Sequence, residues 1–379
     1  MNKLKNVGIS ALVGTLASLS VAQAGGVSVG GTMEMSYTIL DRESVTGHPL
    51  GTKKNITFSG GGEFANGWTF GIMHAQNDGM SGLSSSSMNI NMGGIATLAY
   101  DSGTGSYGAN AVDNIIPIAW EEIDYGLGSG ISDVGQVSKT AGVVNFTIRA
   151  PGSGTGISYS YATRMGTEAV HDGGTSSGQH TAAGHKGHDL VLDLVNIDSN
   201  WFGWRLGAAA EKVSHLTSCE NTGVEGHPAT VCTTQKEDEY GGTGYTSLRI
   251  GPFSAGYQAT YLDNGSASAS AVAYNHSQVW GAAFTVGDYL SFSWGKGTDR
   301  YTYNNAERLR REQMVHGKIV GDDTGEQIIA TFEGASAAAN WGPLSLKYAI
   351  SSGHNQGGKS KGVGAGTDKH QEINLSMAF

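Results

Sequence analysis

From residue 26 to the last residue, apolar and polar positions alternate with period two, in runs of about ten residues. At the C-terminus Ile373, Leu375, Met377 and Phe379 alternate with Glu372, Asn374, Ser376 and Ala378. Leu344, Leu346, Tyr348 and Ile350 alternate in the same way, as do Phe253, Ala255, Tyr257, Ala259 and Tyr261. Successive side chains of a strand point to opposite faces, so each run predicts a strand with one apolar and one polar face. Sixteen runs are expected, near 26–40, 52–64, 67–77, 85–93, 94–101, 142–150, 156–164, 187–199, 201–213, 238–250, 252–263, 273–286, 288–300, 324–339, 342–353 and 368–379. The one candidate helix is residues 305–314 (NAERLRREQM), in a connection.

The connections alternate too. Short ones occur at Ala65-Asn66-Gly67, Gly93-Gly94, 151–155, Ser199-Asn200, Gly251-Pro252, Gly287-Asp288 and Trp341-Gly342-Pro343. Longer polar ones occupy 41–51, 78–84, 101–141, 165–186, 214–237, 264–272, 301–323 and 354–367. Strands of this length, with short turns at one end and long loops at the other, predict an all-β, antiparallel, up-and-down transmembrane β-barrel of sixteen strands. A soluble sandwich shares the alternation, but it seldom needs an apolar face on sixteen successive strands. Aromatic residues near strand ends, such as Trp68, Phe70, Tyr159, Tyr161, Trp204, Trp280, Trp294 and Tyr348, fit the girdles of a barrel at the membrane interfaces.

Residues 101–141 break the rhythm. They carry six acids, Asp101, Asp113, Glu121, Glu122, Asp124 and Asp133, and one base, Lys139, around an apolar centre IIPIAW. A loop of this length without regular structure is uncommon unless functional or disordered, and the apolar centre argues against disorder. The surrounding barrel is expected to bury IIPIAW, with the acids toward water.

Residues 1–24 read as a secretory signal. Lys3 and Lys5 precede an apolar stretch, and Ala22-Gln23-Ala24 forms a cleavage site. This leaves 25–379 as one barrel domain. The chain has 23 Lys and Arg against 33 Asp and Glu, and two of the lysines lie in the signal, so the mature balance is −12. Such an acidic surface disfavours nucleic acid as a partner. Gly is 59 of 379 and Pro only 6, which fits strands with tight bends and Gly-rich loops rather than a Pro-rich linker. Cys219 and Cys232 share one polar connection of an exported chain and are expected to form a disulfide.

These residues resemble the general porins of Gram-negative outer membranes, more specifically the alphaproteobacterial type. Phe64-Ala65-Asn66-Gly67-Trp68-Thr69-Phe70-Gly71 is similar to the first periplasmic turn of that family, F-x-x-G-x-x-F-G. Residues 91–101 (NMGGIATLAYD) are similar to the turn and fifth strand that precede its constriction loop, and Phe379 is a terminal aromatic of the kind the barrel-assembly machinery prefers. The resemblance implies that residues 101–141 form the long third loop, folded into the lumen. It also implies a homotrimer in the outer membrane, in contact with lipid and lipopolysaccharide.

Alternation selects the charges that face the lumen. If Val144, Phe146 and Ile148 face lipid, Arg149 faces in, and by the same rule so do Glu34, Lys53, Arg164, Arg205, Arg249 and Lys347. A base on the lipid face at mid-membrane costs roughly 2–4 kcal/mol, which supports the assignment. The acidic constriction is expected at Asp113, Glu121, Glu122 and Asp124, facing a basic wall that includes Lys53, Arg149, Arg205 and Arg249. Alternatively the acids hydrogen-bond the wall and fix the loop. His171, His180, His185 and His188 cluster in one loop without a compact zinc spacing. Asp322-Asp323 and other external acids are candidates for Ca2+ without EF-hand spacing, and no resident cofactor is implied. Lys296, Arg300, Arg308, Arg310 and Arg311 are candidates for lipid phosphates.

The chain contains no H-E-x-x-H motif, and its Gly-x-Gly runs, such as 152–156, lack the Rossmann context, so no enzyme is expected. The expected function is a water-filled channel for passive diffusion of ions and small hydrophilic solutes. A substrate-selective channel is the alternative, and a structural or adhesive barrel a third.

Overall fold

The computed structural model describes residues 26–41, 48–76, 78, 83–152, 154–163, 185–215, 218–221, 230–233, 238–265, 271–304, 327–359 and 366–379. The signal at 1–24, Arg164, His171, His180, the candidate helix at 305–314 with Arg308, Arg310 and Arg311, and Asp322-Asp323 lie outside the described residues.

In chain order the strands are β1 (Gly26–Asp41), β2 (Leu50–Glu63), β3 (Thr69–Gln76), β4 (Leu83–Met92), β5 (Ala96–Ser102), β6 (Ala141–Arg149), β7 (Gly156–Ala162), β8 (His185–Asp198) and β9 (Phe202–His215). They continue with β10 (Ser218–Asn221), β11 (Thr230–Thr233), β12 (Glu239–Ile250), β13 (Phe253–Asp263), β14 (Val272–Val286), β15 (Leu290–Tyr303), β16 (Gln327–Trp341), β17 (Leu344–His354) and β18 (Thr367–Ala378). All but β10 and β11 form one closed antiparallel barrel in which each strand pairs with its sequence neighbours and β18 returns to β1. The expected sixteen strands are therefore the barrel. The hairpin β10–β11, inside the connection at 214–237, was not expected. Its register sets Cys219 opposite Cys232.

Closure is completed by the last residue. Phe379 N–H donates to Gly31 O and Gly31 N–H donates to Phe379 O, both at 3.1 Å. At the first short turn Phe64 N–H donates to Trp68 O at 2.7 Å, and Trp68 N–H donates to the Asn66 side-chain oxygen at 3.1 Å. Gly67 takes φ +81° there, a conformation that favours glycine.

The two faces differ as the alternation requires. On β6, Val144, Phe146 and Ile148 are exposed on the outside, while Val143, Asn145 and Thr147 are buried inside. On β13 and β15 the exposed Tyr257, Tyr261, Phe292 and Trp294 alternate with Gln258, Thr260, Ser291 and Ser293. The outer face is thus apolar and the inner face polar. This inverts a soluble barrel and matches a barrel with lipid outside and water inside. The inner polar groups bond one another, as where Asn145 donates to Ser158 and Ser160 at 2.8 and 2.9 Å. A bulge between Asp193 and Val195 turns Leu194 outward while Asp193 stays inside.

Candidate functional site

Residues 103–140, between β5 and β6, run along the inner wall. A chain segment without a sheet of its own must find partners for its buried backbone groups, and wall side chains supply them. The Asp101 carboxylate accepts from Thr104 N–H at 3.0 Å and starts the loop. A short 3-10 turn, Gly108–Val112, rests on β7, β8 and β9. Gln258 on β13 then serves two groups, accepting from Ile115 N–H at 3.0 Å and donating to Val112 O at 2.8 Å. Ala119 N–H donates to Ser293 Oγ on β15 at 2.8 Å, and Trp120 N–H to Ser336 Oγ on β16 at 3.1 Å. Tyr125 hydroxyl donates to Glu372 on β18 at 3.2 Å.

The loop then returns. Ser132 N–H donates to Asp299 at 2.9 Å, Ser277 hydroxyl donates to Ser132 O at 2.7 Å, and Glu211 accepts from Gly135 and Val137 N–H at 3.0 and 3.4 Å. Each of these wall residues occupies an inward position of its strand.

The apolar side of the loop packs on that wall. Ile116, Ile118 and Ile123 join Tyr301, Ala330 and Phe332 in one buried cluster. Ala109, Val112 and Val134 join Val191, Ala209, Tyr245 and Leu262 in a second. Burying one such aliphatic side chain contributes about 1.5–3 kcal/mol relative to exposure. The seat exists because four strands carry glycine at the same level. Gly256, Gly281, Gly295 and Gly334 are successive register partners across β13, β14, β15 and β16. A Cβ at Gly256 would lie 2.9 Å from the Pro117 ring, at Gly281 3.3 Å from Ile116, at Gly295 3.0 Å from Ile123, and at Gly334 2.5 Å from the Ile123 backbone. The row forms a trough for residues 115–123.

Asp113, Glu121, Glu122 and Asp133 remain partly exposed. Burial, followed by the neighbouring acids Asp133 and Glu122, pushes Asp113 up to about 7. Burial and then Glu372 and Glu122 raise Glu121 to about 7 against the opposing pull of Lys53 and Lys347. Burial and Asp124 raise Glu122 to about 7, and burial takes Asp133 to about 6 although Lys139 opposes it. Asp124 behaves differently from its expected role. Its carboxylate accepts from Ile131 N–H at 2.6 Å and ties the outgoing limb to the returning one. It braces the loop, as the alternative role for these acids allowed.

The four bases named for the wall have different neighbours. Lys53 on β2 opposes the upward shift of the Glu121 carboxyl. Arg205 instead pairs with Asp193 at 3.1 Å and lies over the Tyr245 ring. Arg249 pairs with Asp198 at 2.7 Å at the turn joining β8 to β9. Arg149 ends β6, beside the turn at 150–155. Alternation gave the face of each arginine but not its height, and β8 carboxylates already hold two of them. Lys347, not among the four named bases, is the second base acting on Glu121. Its ammonium sits 5.5 Å from the Trp120 ring centre, and Trp120, Tyr125 and His370 continue the contact across the loop to β18.

His188 lies on the outer face, where it contacts Tyr159 hydroxyl at 2.5 Å and stacks on Tyr161. Among the described residues no group of three or more His, Cys, Asp or Glu is arranged to hold a metal ion.

No family model and no curated protein matches the chain. Solved structures do. OmpT, an outer membrane protein of Vibrio cholerae, folded in vitro, aligns with a TM-score of 0.59 at 9% identity, over 95% of this chain and 99% of that one. OmpF of Salmonella typhi, in complex with daunomycin, gives 0.58 at 9% identity over 93% and 97%. An anion-selective porin from Comamonas acidovorans gives 0.53 at 12% identity over 94% and 100%. At these identities the likeness concerns architecture: the chain has the fold of the sixteen-stranded general porins.

Proposed function

We propose that the chain is an outer-membrane channel through which ions and small hydrophilic solutes diffuse passively, and that residues 103–140 narrow its lumen. The observation that carries this reading is the bonding of one loop to inward side chains on β9, β13, β14, β15, β16 and β18 of a closed barrel whose outer face is apolar. Such a loop occupies cross-section that water would otherwise fill, and a polar inner wall keeps the remainder wet. Nothing in the reading requires a cofactor or a catalytic step.

The oligomer we propose is a homotrimer. One related fold, OmpT of Vibrio cholerae, is described in a trimer form. In this chain the outward side chains of β1, among them Val27, Val29, Met33 and Met35, form a long apolar stripe between β18 and β2. Assembly through the barrel-assembly machinery and contact with lipopolysaccharide belong to the same proposal, as does membership of the alphaproteobacterial type, which rests on residues 64–71 and 91–101. The Cys219–Cys232 disulfide is proposed on the opposed register of β10 and β11.

Planar-bilayer recording of the purified chain tests the function. Stepwise, ohmic conductance, together with uptake of small sugars by proteoliposomes, is expected. Block by one solute class would favour a substrate-selective channel, and absence of conductance from folded protein would sink the channel reading.

A further inference from the structure

We propose that the channel carries a binding subsite for neutral cyclic polyols, sugars in the pyranose form, between the Trp120 ring of the loop and the inner wall of β17, β18, β1 and β2. The inference rests on the channel reading and names a solute class that pauses at one point of the passage.

The wall that meets Trp120 is a band of mixed chemistry. Glu34 on β1 is the register partner of Lys53 on β2. Asn374 on β18 donates its side-chain amide to Glu34 at 3.1 Å, and is itself the register partner of Lys347 on β17. The Lys347 ammonium lies 5.5 Å from the centre of the Trp120 ring. These are inward positions, since the neighbours Met33, Met35, Leu346, Tyr348, Ile373 and Leu375 are exposed on the outer face. Donors and acceptors therefore alternate from Lys53 to Lys347, and the band ends on an aromatic face.

The ring is held in place. Trp120 N–H donates to Ser336 Oγ at 3.1 Å, the ring centre lies 6.1 Å from that of Tyr125, and Tyr125 meets His370 edge-on at 5.2 Å. Trp120, Glu34, Lys53 and Lys347 all keep exposed surface, while Asn374 is buried and positions Glu34 from behind. A few placed polar groups beside an aromatic surface are the usual makeup of a small-molecule site.

The alternation selects the solute. A simple anion at this band would meet Glu34 between two lysines, and a simple cation would meet the lysines on either side of Glu34. A neutral polyol suits it better, because each hydroxyl both donates and accepts. The ring form adds a patch of C–H bonds that packs on the electron-rich indole face, the face that already attracts the Lys347 ammonium. On its flexible stem that ammonium can leave the ring and donate to a hydroxyl. An open-chain polyol must first lose internal rotations to present a comparable face.

The test uses the full chain in proteoliposomes. Initial uptake of glucose and of mannitol, similar in size but only the first cyclic, is measured over a range of concentrations, with open channels verified by bilayer recording of the same preparation. Glucose uptake is expected to saturate and, at low concentration, to exceed mannitol uptake several-fold, while mannitol uptake rises linearly. Trp120→Leu is expected to lose both the saturation and the preference. Trp120→Phe, close to leucine in size but keeping a ring face, is expected to retain both. Linear glucose uptake at the mannitol rate through conducting wild-type channels would overturn the proposal. So would leucine and phenylalanine variants that behave alike, since residue 120 would then act by size alone, or saturation by the zwitterion alanine without saturation by glucose. The wild-type comparison decides the matter even where a variant fails to fold. Absence of any conductance steps would refute the channel reading instead, so the two failures are distinguishable.

Discussion

Gly334→Val is expected to lift the loop from its seat while leaving the barrel closed. A Cβ at this position would stand 2.5 Å from both the Cα and the carbonyl oxygen of Ile123. Backbone cannot swing aside as a flexible side chain does, so residues 119–125 must move. Overpacking of this kind costs typically about 1–3 kcal/mol. The contacts that resist it are Trp120 N–H on Ser336, Tyr125 on Glu372 and the burial of Ile123. The strand itself keeps its β15 and β17 partners, because the added methyls point into the lumen. Single-channel recording should show the wild-type level replaced by several fluctuating sublevels, with the heat-resistant folded barrel retained on gels. A record indistinguishable from wild type would mean that the glycine row does not seat the loop. Gly244, on β12 and with nothing within 4 Å of its would-be Cβ, provides the control position.

Gln258→Leu is expected to loosen the other end of the same segment. The Gln258 amide accepts from Ile115 N–H and donates both to Val112 O and to Thr243 Oγ1 at 3.1 Å. It is buried, so water does not readily replace it. Leucine has a similar volume and removes both functions at once. Leaving a buried backbone donor and acceptor unpaired costs on the order of 1–3 kcal/mol each. Gln258→Glu should fall between the two, because a carboxylate still accepts from Ile115 but no longer donates to Val112. Faster protease cleavage within residues 108–120 of the leucine variant, with the glutamate variant intermediate, is the expected order. Equal resistance in all three proteins would place the anchor elsewhere.

Much of the fold was legible in the sequence. Sixteen alternating runs became sixteen barrel strands, with ends displaced by three residues or fewer. An outer face that meets lipid must be apolar at every second position, and few soluble folds impose that demand so evenly. The hairpin β10–β11 was not legible, since SCEN and TVCT carry no apolar alternation. The site was legible in part. The acids of residues 101–141 marked the loop, and IIPIAW marked a segment that needed burial. Which base met which acid was not, because alternation fixes the face of Arg205, Arg249 and Lys347 and says nothing of their height in the barrel. The glycine row was hidden for a related reason. Gly256, Gly281, Gly295 and Gly334 are far apart in the chain and line up only once the strands pair. A signal existed: Gly281 and Gly295 lie equally far from the turn at 287–289, so a hairpin closed there must set them side by side.

The central claim is that one side of residues 115–123 rests on the wall and the other faces the water of the channel. Cysteine substitution tests it most directly. Glu121→Cys and Ile118→Cys are made separately in a chain whose Cys219 and Cys232 are replaced by serine, and each is treated with a charged, water-soluble thiol reagent during bilayer recording. Glu121→Cys should react, with a stepwise fall in conductance at each modification, while Ile118→Cys should stay silent under the same exposure. Equal reactivity at both positions, or modification of Glu121→Cys without any change in conductance, would contradict the account.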